Sequence, residues 1–365
     1  LKKYVGAGIS TDHECTSLEE ALEKVSGGMK ILIREGSAAK NLDTLAPLLN
    51  YYPGEVMLCT DDLHPEMLAK GHINKIVARL IEMGYDLFNV IRAASVNTAE
   101  HYSVNTGLLR EGDAADFILV DDPARMNVLQ TWIDGQLVYD GDKALFSPGI
   151  VKKVNKFKCT RLLTDEIRVP NEGGKLRVIV AENGSLMTGS EETPAGEEEF
   201  INPRLDEDIL KIVVKERYND RPPSVGFIKG FGLKKGAMAS SVAHDSHNIV
   251  AIGTSDRDIV AAINLVIEAE GGMSAVSDEG SDILKLPVAG IMSDMPVTAM
   301  AARYERLSET VRSFGSRLNA PYMTLSFMAL LVIPRLKLSD RGLFDGLAFR
   351  HVPLFIQKTY PGQKS

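Results

Sequence analysis

Val56-Met-Leu-Cys-Thr60-Asp61-Asp62-Leu63-His64 is an apolar run of strand length that ends abruptly in carboxylates and a histidine. A second stretch has the same design, Val5-Gly-Ala-Gly-Ile-Ser-Thr-Asp12-His13-Glu14. Residues that follow a buried parallel strand sit at the C-terminal face of the sheet, where α/β barrels gather their catalytic groups. The pattern therefore singles out His13 and Asp61 as site residues.

Working outward, a strand and two helical stretches fit between the two motifs. Thr16-x-x-Glu19 reads as a capping box that opens a helix over residues 16–25, and Gly27-Gly28 ends it. Met29-Lys-Ile-Leu-Ile33 is a short apolar run that again ends in polar residues, Arg34-Glu35-Gly36-Ser37. A second helix is expected over 38–49, closed by Tyr51-Tyr52-Pro53-Gly54. The rhythm is β-α-β-α-β, which predicts parallel pairing. Beyond the Asp61 loop, Ile73, Ile76, Val77, Leu80 and Ile81 fall at the spacing of one buried helix face.

Only three strand-helix units can be counted before the pattern changes near residue 105, whereas a closed barrel of this type has eight strands. The expectation is that the front of the barrel is missing from this stretch, which begins with Leu1 and shows no signal-peptide core. Composition describes a folded chain. Its 365 residues are 44% hydrophobic and 25% charged, enough for two or three domains. A net charge of −8 argues against nucleic acid or an anionic membrane as the main partner. The longest apolar stretch, 327–333, is far short of the ~20 residues that span a bilayer. Three cysteines, Cys15, Cys59 and Cys159, have no Cys-x-x-Cys spacing and point to a reducing, cytoplasmic setting. Cys15 and Cys59 read as buried strand-end residues.

From Gly107 the texture changes. Arg110-Glu-Gly-Asp-Ala-Ala-Asp116-Phe-Ile-Leu-Val120 and Val128-Leu-Gln-Thr-Trp132-Ile-Asp-Gly135 are β-rich runs separated by Asp-Gly turns, the signature of hairpins in a small β domain. Together with the His- and Asp-ended strands and an Asn97-Thr-Ala-Glu100 helix, these residues resemble the amidohydrolase superfamily. Within it, the chain is most similar to the bacterial adenine deaminase family. That resemblance rests on Gly8-Ile-Ser-Thr-Asp-His13-Glu14, residues 34–41, Cys59-Thr-Asp61-Asp62 with His64-Pro65, and Gly71-His72-Ile73-Asn74. Far downstream it rests on Gly236-Ala-Met-Ala-Ser-Ser241-Val-Ala-His244-Asp245-Ser246-His247-Asn248 and Leu286-Pro-Val-Ala-Gly290-Ile-Met-Ser293-Asp294.

The resemblance implies an α/β fold in three parts: the C-terminal strands and helices of a (β/α)8 amidohydrolase barrel over 1–105, a β-sandwich portion over 106–160, and an additional α+β domain over 161–365. It implies metal-dependent hydrolytic deamination of adenine to hypoxanthine and ammonia, as in purine salvage. His13 and Asp61 would be metal ligands and Asp61 and Glu14 catalytic. The metal would be Mn or Fe, with Zn as the other option, binuclear in the complete enzyme. The partners would be a purine substrate, further copies of the chain in a homo-oligomer, and the missing N-terminal barrel segment. Without that segment the superfamily's first-strand His-x-His pair, mid-barrel bridging carboxylate or lysine and fifth-strand His are absent, so residues 1–365 would be inactive unaided.

Other candidates carry two readings each. Asp62 is the register alternative to Asp61, and Glu14 either supports a ligand or caps the next helix. Arg34 and Ser37 either contact the purine edge or make loop interactions. His64 and His72 either lie near the mouth or, for His72, start a helix. His244 and His247 suggest a substrate-facing loop, a metal pair, part of a Ser-His-Asp arrangement, or a structural network between two strands. Downstream strands are expected at 176–180 and 210–214 and helices at 257–269 and 297–314, with 226–232 assigned to turns and 191–199 to a solvated loop or hairpin tip. Two competing functions remain at this stage: an amidohydrolase acting on another cyclic amide, and a non-catalytic remnant or scaffold subunit.

Overall fold

A computed structural model describes residues 1–37, 40–141, 143–147, 149 and 151–357. The chain divides into two units, Leu1–Ile150 and Val151–Ser365.

The first unit is built on three parallel strands, β1 (Thr11–Asp12), β2 (Lys30–Arg34) and β3 (Val56–Cys59), in that spatial order. Asp12 lies opposite Ile31 and Arg34 opposite Cys59, so the polar ends of the strands finish on one edge. Ile31, Ile33, Val56 and Leu58 of the sheet pack with Leu42, Leu45, Ile76, Val77 and Leu80 of the helices into one buried cluster. Each such side chain contributes roughly 1.5–3 kcal/mol when fully buried. The Ile73–Glu82 helix has the expected inward face, with Ile76, Val77 and Leu80 buried.

Local expectations were corrected in three places. The run before His13 is not a strand from Val5. Lys2–Gly6 is a short helix, Gly8 takes φ +87°, and only Thr11 and Asp12 pair with β2. Glycines at 6 and 8 offer no side chains to pack on a pleated surface. The first long helix is Leu18–Ser26, capped one residue later than the capping-box reading, by Ser17 accepting from the Glu20 amide at 3.2 Å. Thr16 instead donates its amide to Glu20 Oε2 at 3.1 Å. The helix expected over 38–49 is two single turns, Leu42–Leu45 and Leu48–Tyr51, broken at Pro47. A proline there has no N–H to continue the ladder. Residues 38 and 39 lie outside the described residues.

The predicted hairpins form a four-stranded antiparallel sheet, β4 (Phe117–Val120), β5 (Val128–Ile133), β6 (Gln136–Asp140) and β7 (Lys143–Ala144). Asp134 and Gly135 both take positive φ, +49° and +72°, as a tight Asp-Gly hairpin turn requires. Phe117 and Trp132 stack across β4 and β5 with centroids 5.7 Å apart.

The second unit is a nine-stranded sheet. Its strands are β8 (Lys175–Ala181), β9 (Thr188–Pro194), β10 (Leu210–Lys215), β11 (Ser224–Lys229), β12 (Ala237–Ser240), β13 (Ile249–Gly253), β14 (Gly272–Ser277), β15 (Gly280–Lys285) and, after a smaller sheet, β19 (Phe355–Ile356). The order is β15-β14-β12-β13-β10-β11-β8-β19, with β9 also on β8. The smaller sheet is β16 (Leu336–Ser339), β17 (Gly342–Asp345) and β18 (Arg350–His351). The Asp256–Glu268 helix buries Ile259, Ile263 and Val266 against Val213, Ala237, Ala239 and Ala251. The predicted strands at 176–180 and 210–214 and both long helices, Asp256–Glu268 and Val297–Ser313, are present.

Two expectations failed here. Gly226 to Lys229 belong to β11, not to turns, and only Gly230 and Gly232 bend the chain, at φ +99° and +76°. A Cβ on Gly226 would lie 3.4–3.5 Å from Leu343, Ile212 and Leu338, so this glycine marks where another layer approaches. Within 191–199, Glu191 to Pro194 are paired in β9, and only the remainder is loop.

Lys337 is fully buried in β16, its ammonium donating to the Leu186 and Phe327 carbonyls at 2.8 and 3.0 Å. Burial pulls its pKa down from 10.5 to about 7. Between about pH 7 and 10.5 the unfolded chain holds a proton that the folded chain has released, so stability rises with pH across that window. The slope is at most about 1.4 kcal/mol per pH unit. Urea titrations at several pH values should show this rise in the parent and its loss in Lys337→Met; equal slopes would refute it.

Among the described residues, no helix is long and apolar enough to cross a membrane. Cys15, Cys59 and Cys159 are all free.

Candidate active site

The ends of β1, β2 and β3 bring five of the predicted residues together. Asp12 closes β1 and turns the chain: its Oδ1 accepts from the Glu14 amide at 2.6 Å, and its Oδ2 takes the Lys24 ammonium at 2.7 Å. Lys24 also holds Glu20 at 2.7 Å, tying the turn to the first long helix. The turn presents His13 with Nε2 3.2 Å from Glu14 Oε1 and 3.5 Å from Asp61 Oδ1. The hydrogen bond that His13 donates to Glu14 raises the His13 pKa, with Asp61 adding to it and burial opposing. The same bond lowers the Glu14 carboxyl, helped by Arg34.

Arg34 ends β2 and is only 2% exposed. Its guanidinium reaches Glu14 Oε1 at 2.8 Å, Asp61 Oδ2 at 2.8 Å and Asp62 Oδ2 at 2.9 Å. The loop-salt-bridge reading of Arg34 thus describes its contacts, and both register alternatives, Asp61 and Asp62, share one cation. Asp61 sits at φ +53°, a left-handed conformation that Asp tolerates better than most residues. Burial raises its carboxyl, the Asp62 carboxyl adds to the rise, and Arg34 opposes it.

The remaining first-unit candidates support this cluster from outside it. Ser37 donates its amide to the Asp62 carbonyl at 2.8 Å, and its hydroxyl accepts from the His64 amide at 2.9 Å. His64 is buried, with Nδ1 3.3 Å from Glu66 Oε1. His72 precedes the Ile73–Glu82 helix, as its bland reading had it, and its Nε2 lies 3.1 Å from the Thr60 hydroxyl. His244 and His247 lie in the second unit, with ring centroids 6.0 Å apart. Burial pushes the Cys59 thiol up to about 12 and Cys15 to about 11, so both stay protonated; Cys59 ends β3 but is only half-buried, and Cys15 is buried but lies in the turn beyond β1.

Two residues with site-building roles escaped the sequence reading. Asn41 accepts the Arg34 amide at 2.7 Å and donates to the His13 and Cys15 carbonyls at 3.4 and 3.2 Å, clamping the β1 turn to β2. Asn97 is buried and donates to the Pro53 and Val56 carbonyls, both at 2.7 Å, fixing the entry of β3. Each stood inside a quoted motif, but nothing in spacing marks an amide that will bridge distant carbonyls.

Residues 2–138 match the amidohydrolase family, and residues 185–350 match the adenine deaminase C-terminal domain. An adenine deaminase of Methanosarcina acetivorans is 50% identical over 370 residues, covering 98% of this chain and 67% of the relative. The chain belongs to the adenine deaminase family. Adenine deaminases of Salinibacter ruber and Methanosarcina barkeri are 51% and 52% identical, covering 98% and 97% of this chain and 66% of each relative. The chain thus spans about two thirds of the length of the curated relatives it matches.

Membership of the family implies a divalent metal. His13 Nε2 and Asp61 Oδ1, 3.5 Å apart, are donors of the right type and spacing to share one ion. They fit as part of a ligand set: among the described residues, no group of three or more His, Cys, Asp or Glu is placed to hold a metal.

Proposed function

We propose that the protein in its full length is a metal-dependent hydrolase that converts adenine and water to hypoxanthine and ammonia. The observation that carries this reading is the cluster at the strand ends, a His13 and Asp61 donor pair held by Glu14 and Arg34, in a chain half identical to adenine deaminases. On this proposal residues 1–105 are late units of an amidohydrolase barrel, 106–160 a β-sandwich portion and 161–365 the family's extra domain. The remaining metal ligands come from barrel strands outside residues 1–365. The metal is Mn or Fe, with Zn as the other option, in a binuclear centre. The setting is cytoplasmic purine salvage by a homo-oligomer.

The chemistry asks for attack of water on C6, protonation at ring N1 and departure of the amino group as ammonia. A bound divalent ion supplies the nucleophile at neutral pH by lowering the pKa of water from 15.7 to roughly 7. Asp61 would carry one proton from the attacking water to ring N1 and then the second, from the hydroxyl left on C6, to the departing amino group, which leaves as ammonia. Glu14 fixes the His13 ring through Nε2 in the metal-free arrangement, and Arg34 orients both carboxylates. Asp62, Ser37, His64 and His72 shape the loop that carries Asp61.

Ammonia and hypoxanthine should be released from adenine by the full-length protein loaded with Mn(II) or Fe(II). Ring opening of a dihydropyrimidine in place of adenine turnover would move the protein to another amidohydrolase activity. No turnover of either, with metal bound, would leave a non-catalytic role.

A further inference from the structure

Asn41 stands where a helix begins and does not act as its cap. It occupies the N-cap position of Leu42–Leu45, yet its side chain makes no capping bond. Asparagine is favoured there because its oxygen accepts from an amide of the first turn. Here that oxygen accepts from the Arg34 amide at 2.7 Å, and the side-chain nitrogen donates to the Cys15 and His13 carbonyls at 3.2 and 3.4 Å. A group that local preference would turn onto its own helix is directed across the ends of two strands.

The orientation of that amide is fixed. The Asn41 N–H donates to the Arg34 carbonyl at 3.0 Å and its carbonyl accepts from the Leu45 amide at 2.9 Å, so its backbone is held on β2 and on the turn that follows. Its side-chain oxygen faces an N–H and its nitrogen faces two carbonyls; turning the amide over would set oxygen against oxygen. Arg34 is thereby tied at both its N–H and its C=O to one residue.

The other end of the bridge is the turn that carries His13. The β1 ladder stops at Asp12, opposite Ile31, so residues 13–15 have no strand pairing to place them. The His13 side chain is 43% exposed, and its ring meets the Glu14 and Asp61 carboxylates. Such a ring inherits its position from its backbone. Three anchors hold that backbone: Asp12 accepts the Glu14 amide, Cys15 is buried in the core of the first unit, and Asn41 takes the carbonyls on either side of Glu14. Of these, Asn41 is the one bonded to Arg34, whose guanidinium reaches Glu14 and Asp61. One amide therefore sets the register of His13 and Glu14 against Arg34.

We propose that Asn41 is a positioning residue of the metal centre, holding His13 in register with Asp61 so that both donors meet one ion, while itself touching neither ion nor substrate. The proposal rests on the metal-site reading given above. Metal affinity is measured without turnover, so failure to deaminate adenine and failure of the clamp are read separately.

The test compares the full-length protein with Asn41→Asp and Asn41→Ala. It follows Mn(II) affinity through the EPR signal of unbound Mn(II), the visible absorption of the Co(II)-loaded protein, and the melting temperature. Asn41→Asp keeps the side-chain shape and the bond from the Arg34 amide but sets an oxygen against the His13 and Cys15 carbonyls. It also adds a negative charge near the centre, which by attraction alone would tighten cation binding. The clamp predicts the opposite sign: Mn(II) Kd weakened by roughly 10–100-fold in both variants, the range for residues that orient ligands, with altered Co(II) absorption. Asn41→Ala introduces no repulsion and keeps the test valid if Asn41→Asp fails to fold. Parental Kd and Co(II) absorption in either variant, even beside a lowered melting temperature, would make Asn41 a purely structural clamp and overturn the proposal, as would tighter binding in Asn41→Asp.

Discussion

Asp61→Asn in the full-length protein is expected to lower the rate of adenine deamination by roughly 10²–10⁴-fold, the range that positioned proton transfer contributes. Asn keeps the shape of the side chain and tolerates the φ of +53° at this position, so the fold should survive. It still offers an oxygen near His13 Nε2, but it cannot hold a proton that must pass from water to the purine. Steady-state ammonia release, read beside metal content, separates two ways of failing. Retained metal with lost turnover makes Asp61 the proton carrier, and metal lost together with turnover makes it chiefly a ligand. An unchanged turnover rate would remove Asp61 from the mechanism.

Arg34→Met should carry the largest stability cost near the site. One guanidinium faces Glu14, Asp61 and Asp62, and a methionine leaves all three carboxylates without it. Removing one partner of a fully buried pair costs about 3–5 kcal/mol. Here the acids reach solvent, with Glu14 about half exposed, so about 2–3 kcal/mol is the expected loss after screening. The pH dependence has a definite sign. The Glu14 carboxyl is held below its ordinary value, so its share is present above the usual glutamate range and is lost as pH falls through the folded value. Urea unfolding of parent and variant at neutral and acidic pH should show the gap narrowing in acid. A gap below about 0.5 kcal/mol at neutral pH, the level of an ordinary surface change, would mean that the cluster is solvated and structurally unimportant.

Parts of the fold were legible because they rest on periodicity. The face of the Ile73–Glu82 helix was readable from five apolar positions, and the Asp-Gly turns of the small β domain from their demand for positive φ. Parallel pairing followed from the alternation of strands and helices. The misreadings arose where a tertiary neighbour outweighs local preference. Gly226 looked like a turn residue because nothing in the sequence shows that Leu338 and Leu343 press on that strand. The run from Val5 looked like a strand because its apolar residues say nothing of the glycines' failure to pack, and just two residues of it pair.

In the candidate site, His13 and Asp61 could be named from the chain alone, since a strand-end His and Asp after apolar runs is a local signal. The chain also determined the family-bearing motifs and the strand order's parallel sense, which depend on residue type and spacing along the backbone. What only the tertiary structure decided was how charge is shared. Arg34 is a cation common to three carboxylates, Asn41 and Asn97 are clamps, and Arg217 is a buried guanidinium fitted against Gly290. The physical reason is that an ion pair or an amide bridge joins residues tens of positions apart through distances of about 3 Å. Such distances exist only once the cores beneath them have packed.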